Sequence, residues 1–205
     1  MKRLLGTMLL LLVVATCYAK GPKYIFYFRG DGMGPSHVLG TELYMGEMQG
    51  TIGRPQKLCF TQFPESAFVT TFSTTNGVTD SAASGTALST GNKTYNSAIG
   101  VGKDTVEVYS VAADLAGKGM SIGVVTTVPI NHATPAAFYA HNMSRHNYDS
   151  IAPWMLKAGY DFYAGGDIKG SNETRTLVYG KAQELGYTIA RGYKDYGKKS
   201  STAKK

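Results

Sequence analysis

Short apolar runs, each closed by Gly, Pro or small polar residues, alternate along this chain with stretches patterned for helices. Residues 23–28, rich in aromatic and β-branched side chains, predict a buried strand. Residues 67–73, 120–128, 160–164 and 187–190 predict further strands. Helices are predicted over 36–48, from Ser81 onward, and over 106–117, 153–158 and 174–185, with 50–64 as a loop. Alternating strands and helices predict an α/β fold with a largely parallel sheet sandwiched by helices. Ligand sites in such sheets gather past the carboxyl ends of the strands. Asp31, the pair Asp80 and Ser81, and the pair His132 and Thr134 all follow predicted strands.

The N-terminus does not belong to this pattern. Met1, Lys2 and Arg3 make a basic start, residues 4–16 are mostly apolar, and Ala19 is a small residue before Lys20. That is the plan of a secretory signal peptide over residues 1–19. The apolar run falls short of the roughly 20 residues a spanning helix needs, so no stable membrane anchor is expected. Lipidation at Cys17 is a lesser alternative. The expected location is outside the cytoplasm, periplasmic or extracellular.

Net charge is +7, a value that invites a nucleic-acid reading. The excess sits mainly in Lys2, Arg3 and the stretch 194–205, which holds five Lys against one Asp. The expectation is a flexible lysine-rich tail over 194–205 and no nucleic-acid partner, because no basic and aromatic stripe runs through the body. Cleavage of the leader would leave Cys59 as the single thiol, unable to form an internal disulfide. Its neighbours Leu58 and Phe60 predict a buried structural role.

Chemistry concentrates in Gly77–Tyr95, where Asp80 and Ser81 precede a run of small residues. Asp-Ser before a helix serves as an N-cap in many proteins. It also sets a hydroxyl where unpaired N–H groups and the helix dipole favour an anion. Asp31 lies in G-D-G-M-G, a tight loop with no side chains to block cations, or an ordinary turn. His132 and Thr134, two apart, share one side of an extended segment. Arg145 carries the planar fork that suits phosphate.

The segment 78–100 resembles the nucleophile motif of the alkaline phosphatase family, V-T-D-S-A-A-S followed by T-A-x-S-T-G-x-K-T-x-N. G-D-G-M-G around Asp31, H-A-T-P-A-A at His132 and S-R-x-x-Y at Arg145 are similar to further motifs of that family, in order. Arg29 departs from it, standing where an apolar residue is usual. The resemblance implies an alkaline-phosphatase-like fold, incomplete here, with residues 20–193 as its N-terminal portion. It implies a phosphomonoester hydrolase with Ser81 as nucleophile, passing through a phosphoserine, and Asp80 supporting the serine loop. Arg145 would hold the phosphate, and zinc and magnesium would serve as cofactors. Asp31 and Thr134 would bind metal, with His132 on or beside the same metal.

The family's remaining zinc ligands lie in D-x-x-x-H and D-H motifs that this chain lacks; its histidines are His37, His132, His141 and His146. A weak or inactive phosphatase is therefore expected. The alternatives are an exported, non-catalytic phosphate-binding or partner-dependent fragment, and a phosphodiesterase or sulfatase-like metallohydrolase. Expected partners are the phosphate monoester itself and either a second copy of the chain or a missing C-terminal half.

Overall fold

A computed structural model describes residues 21–204, divided into two units after Gly30. The signal peptide expected over 1–19 lies outside the described residues. In the first unit, residues 21–30 form no strand, and Tyr24, Phe26 and Phe28 are exposed. The buried strand predicted over 23–28 is therefore not formed. An extended run becomes a strand only where neighbouring backbone takes up its N–H and C=O groups in a ladder.

The second unit begins at Asp31. Helix α1 (Pro35–Met48) opens on a proline, whose missing N–H costs nothing at a first turn. His37 Nδ1 accepts the Gly34 N–H at 3.1 Å and closes that turn. Glu42, buried on α1, fastens the following loop: its carboxylate accepts from Lys57 Nζ at 3.0 Å, Leu58 N at 3.1 Å and Thr61 Oγ1 at 2.8 Å. Cys59 lies in this loop and is exposed, which corrects the buried role read from its apolar flanks. The loop is held by polar bonds to Glu42, and its apolar residues are not drawn into the core.

Helix α2 (Ser81–Thr90) follows, ended by Gly91 in the left-handed region at φ 76. Helix α3 (Val111–Gly117) starts five residues later than the pattern predicted, because Ser110 caps it by accepting the Ala113 N–H. Strands β1 (Gly123–Val125) and β2 (Phe162–Ala164) pair in parallel, with Val124 opposite Tyr163. Between them lie the short helices α4 (Ala133–Ala136), α5 (Tyr148–Ile151) and α6 (Trp154–Ala158). Helices α7 (Asn172–Glu184) and α8 (Gly192–Lys199) complete the unit. The lysine-rich run from residue 194 thus opens inside a helix, with Lys199 Nζ donating to Ile189 O and to Asp195.

Small residues build the core. Ala82, Ala112, Ala133, Ala136, Ala137 and Ala140 pack with Ile99, Ile151, Val124, Tyr139 and Tyr160. Side chains this small let α2 and α4 approach closely, and Ser89 Oγ donates to Ala137 O at 2.7 Å across the gap. The buried tyrosines satisfy their hydroxyls on backbone, Tyr139 on Ile130 O and Tyr160 on Phe138 O. Residues 67–73 and 187–190 run without a ladder partner among the described residues, so the strands predicted there are not formed. No described helix is long and apolar enough to cross a membrane.

Candidate active site

The site grows from the start of α2. Asp80 caps this helix, its Oδ1 accepting the Ala83 N–H at 2.9 Å. Its other oxygen accepts the Ser97 N–H and Arg145 Nη1, both at 3.0 Å. One carboxylate therefore joins the helix start, the loop after the helix and the arginine. Ser81, the first helical residue, is half-buried, and its Oγ donates to Asp31 Oδ1 at 3.1 Å. Asp31 Oδ2 accepts from Thr134 Oγ1 at 2.8 Å. The acidic loop, the serine and the threonine thus meet on a single carboxylate.

Asn131, wholly buried, sets the position of His132 and Thr134. Its amide donates to Tyr148 O and Lys169 O and accepts the Lys169 N–H. Arg145 Nη2 lies 3.2 Å from His132 Nε2. Guanidinium only donates, so Nε2 accepts and the ring proton of the neutral imidazole resides on Nδ1. Nδ1 is buried without a hydrogen-bond partner among the described residues. Burial and the Arg145 charge, with Lys169 adding to them, hold His132 below its ordinary pKa against the opposing pull of Asp31. These influences favour the neutral imidazole.

All six residues singled out in the sequence come together: Ser81 and Thr134 on Asp31, and Arg145 between Asp80 and His132. Among the described residues, only the His132 and Thr134 pair follows an observed strand, β1. The other two clusters stand on a helix start and a loop. Two further positioning groups were missed. Asn96 accepts the Asp80 N–H and donates to Val78 O, tying the approach to α2 to the loop after it. Ser97, held at φ 80, aims its N–H at Asp80 while its carbonyl accepts the Arg145 N–H at 2.8 Å. Asn96 ends the repeated T-x-N of the nucleophile motif, and that was the signal available. Nothing in the sequence marks Ser97.

The donor set divides by metal. A carboxylate and a hydroxyl suit a hard cation such as magnesium. Zinc centres use three or four His, Cys or acidic ligands, and no group of three such side chains able to hold a metal occurs among the described residues.

The serine that opens α2, the carboxylate it shares with a threonine, and the arginine held by the next carboxylate thus lie together in an α/β chain. The sequence profile of the alkaline phosphatase family matches residues 22–180, and the chain belongs to that family. Alkaline phosphatase 4 of Bacillus subtilis is 50% identical over 103 residues, covering 50% of this chain and 21% of that protein. The tissue-nonspecific isozyme of Rattus norvegicus is 36% identical over 149 residues, covering 67% of this chain and 28% of its own length. The chain thus spans less than a third of the length of these relatives.

Among solved structures, the alkaline phosphatase of the Antarctic bacterium TAB5 superposes with a TM-score of 0.64 at 37% identity, covering 71% of this chain and 44% of that one. A variant of the TAB5 protein with one histidine replaced by aspartate, solved with magnesium in its M3 site, gives 0.61 at 36%, covering 69% of this chain and 42% of that one. The incomplete alkaline-phosphatase-like α/β fold is what these likenesses define.

Proposed function

We propose that this chain carries the phosphoryl-accepting half of an exported phosphomonoester hydrolase. The observation that carries the reading is the Ser81 hydroxyl at the start of α2, donating to the Asp31 carboxylate that Thr134 also engages. Ser81 Oγ attacks phosphorus in line. An Oγ–P bond forms while the bond from phosphorus to the ester oxygen breaks, and the alcohol departs with a proton. The serine proton passes to Asp31 Oδ1, already its hydrogen-bond acceptor, and from there to the departing oxygen, so the proton the alcohol carries away is the serine's. Water then attacks the phosphoserine, inorganic phosphate leaves, and the hydroxyl is restored. The N-terminus of α2 favours the dianionic group. Arg145 keeps Asp80 through Nη1 and offers its remaining N–H donors to the phosphate oxygens.

Asp31 and Thr134 would hold magnesium, which when bound supplies positive charge beside the transferring group. His132, with Nε2 engaged by Arg145 and Nδ1 buried, would stand beside the metal, not on it. Zinc does not fit the described donor set. Slow turnover follows.

The unmet zinc set favours one second reading, a non-catalytic exported chain that binds phosphate at the same place. Hydrolysis of p-nitrophenyl phosphate, with zinc and magnesium present, separates the two. Slow release of nitrophenol, lost in Ser81→Ala, supports the enzyme reading. Phosphate binding without any release supports the second. Hydrolysis that survives Ser81→Ala overturns the proposed role of Ser81.

A further inference from the structure

Asn76-Gly77 is the one Asn-Gly pair of the chain, and it lies shortly before Asp80 and the start of α2. Both residues are exposed. Nothing lies within 4 Å of where a Cβ would stand on Gly77, so the approach to its backbone nitrogen is open. Among the described residues, neither the Gly77 N–H nor the Asn76 amide nitrogen has an acceptor. The Asn76 carbonyl is engaged, its Oδ1 accepting the Val78 N–H at 2.8 Å. A donor fixed on a carbonyl oxygen stabilises the oxyanion that forms when a nucleophile adds to its carbon. An unobstructed nucleophile thus stands next in the chain to a polarised electrophile.

We infer that Asn76 is a site of spontaneous covalent modification, deamidation through a cyclic imide with Gly77. The Gly77 nitrogen attacks Asn76 Cγ. The N–Cγ bond forms, the Cγ–Nδ2 bond breaks, and Nδ2 departs as ammonia with the proton that the Gly77 nitrogen gives up. Water then adds to one imide carbonyl and opens the ring. Opening at Cγ leaves aspartate. Opening at the main-chain carbonyl leaves isoaspartate, in which the chain runs on through the side chain. Water is the sole co-reactant. The fold favours isoaspartate, because the Asn76 main-chain oxygen accepts the Ser73 N–H at 3.1 Å and the Ser73 hydroxyl at 3.4 Å. In isoaspartate that oxygen belongs to a free carboxylate, and hydrogen bonds to an ionised group are the stronger kind. Either product adds a negative charge to the stretch that leads into Asp80 and Ser81, and isoaspartate lengthens it by a methylene. Asn96-Ser97 is the contrasting pair. Asn96 Nδ2 donates to Val78 O, its Oδ1 accepts the Asp80 N–H, and the Ser97 N–H donates to Asp80 Oδ2. Leaving group and attacking nitrogen are both held, so Asn96 is protected. Neither outcome depends on the reaction proposed for Ser81.

The test incubates the full chain in mildly alkaline buffer, beside the same chain unfolded in guanidinium chloride, and maps the peptides of both by mass spectrometry. Methyl transfer by an isoaspartyl methyltransferase scores isoaspartate. In the folded chain, exchange of NH2 for OH is expected at position 76 and not at 96, with a larger isoaspartate share than in the unfolded chain. Unfolding is expected to release Asn96 to react as well. Gly77→Ala crowds the attacking nitrogen and is expected to slow conversion several-fold, in the unfolded chain too, so its result does not hang on that variant's folding. Asn76 intact in the folded chain once the unfolded chain has converted overturns the inference. So does an Asn96 that converts as fast as Asn76 in the folded chain, or an unchanged rate in Gly77→Ala. An isoaspartate share no larger than in the unfolded chain overturns the part given to Ser73.

Discussion

Asp31 and Thr134 stand 103 residues apart in the chain, yet the threonine hydroxyl lies 2.8 Å from the aspartate Oδ2. The other oxygen of the same carboxylate accepts from Ser81. A single acidic side chain thus orients both a hydroxyl proposed to react and a hydroxyl proposed to bind metal.

If magnesium binds at this pair as proposed, it stabilises the folded chain through linkage. At a concentration a hundredfold above its Kd, a ligand specific to the folded state adds about 2.7 kcal/mol. Magnesium is expected to raise the melting temperature of the parent chain. Thr134→Val and Asp31→Asn are expected to lose that rise, and His132→Ala to keep most of it. Thermal melts with and without magnesium check this without any assay of activity.

Asp80 does two jobs that substitution separates. Asp80→Ala removes the cap of α2 and the partner of a mostly buried arginine, and is expected to cost about 1–3 kcal/mol. Asp80→Asn keeps an oxygen for the Ala83 N–H and loses the ion pair, so it falls between the two. Urea unfolding of the three proteins gives the order.

Arg145→Lys keeps the charge and loses the planar fork that spans Asp80 and His132. Phosphate affinity is expected to fall about tenfold, the loss of roughly one charge-assisted hydrogen bond. Calorimetric titration with inorganic phosphate measures it. Equal affinity in both proteins would remove Arg145 from the phosphate site.

Glu42 contributes to the response of the fold to acid. The Thr61 hydroxyl first, then the Leu58 N–H and Lys57, hold its carboxyl below the ordinary carboxylate range. A pKa lowered by folding contributes stability above the unfolded-state pKa, and that stability is lost as pH falls through the folded-state value. The parent chain is expected to be more stable than Glu42→Gln near neutral pH, with the gap closing in acid. Melting temperature against pH, taken on both proteins, checks the sign.

The motifs made the site legible because each carries its chemistry within a few residues. Asp80-Ser81, G-D-G-M-G, H-A-T-P and S-R-x-x-Y name the six residues that the folded chain joins through hydrogen bonds. The helices at Pro35, Ser81, Val111, Trp154 and Asn172 were legible, whereas the short helices at 133–136 and 148–151 and the one at 192–199 were not. Strands were not. Residues 23–28 and 67–73 have the composition of buried strands, but strand formation depends on neighbours that local sequence does not encode. Cys59 misled for a related reason: apolar flanks say nothing of a loop held by a buried glutamate. Ser97 works through its backbone, to which a sequence motif is blind.

The proposed role of Ser81 is tested most directly by incubating the full chain with p-nitrophenyl phosphate and magnesium, quenching in acid, and mapping phosphate on its peptides by mass spectrometry. A phosphoryl group on Ser81, absent from Ser81→Ala, is expected. Phosphate on another residue, or an unmodified Ser81 in a chain that still releases nitrophenol, would contradict it.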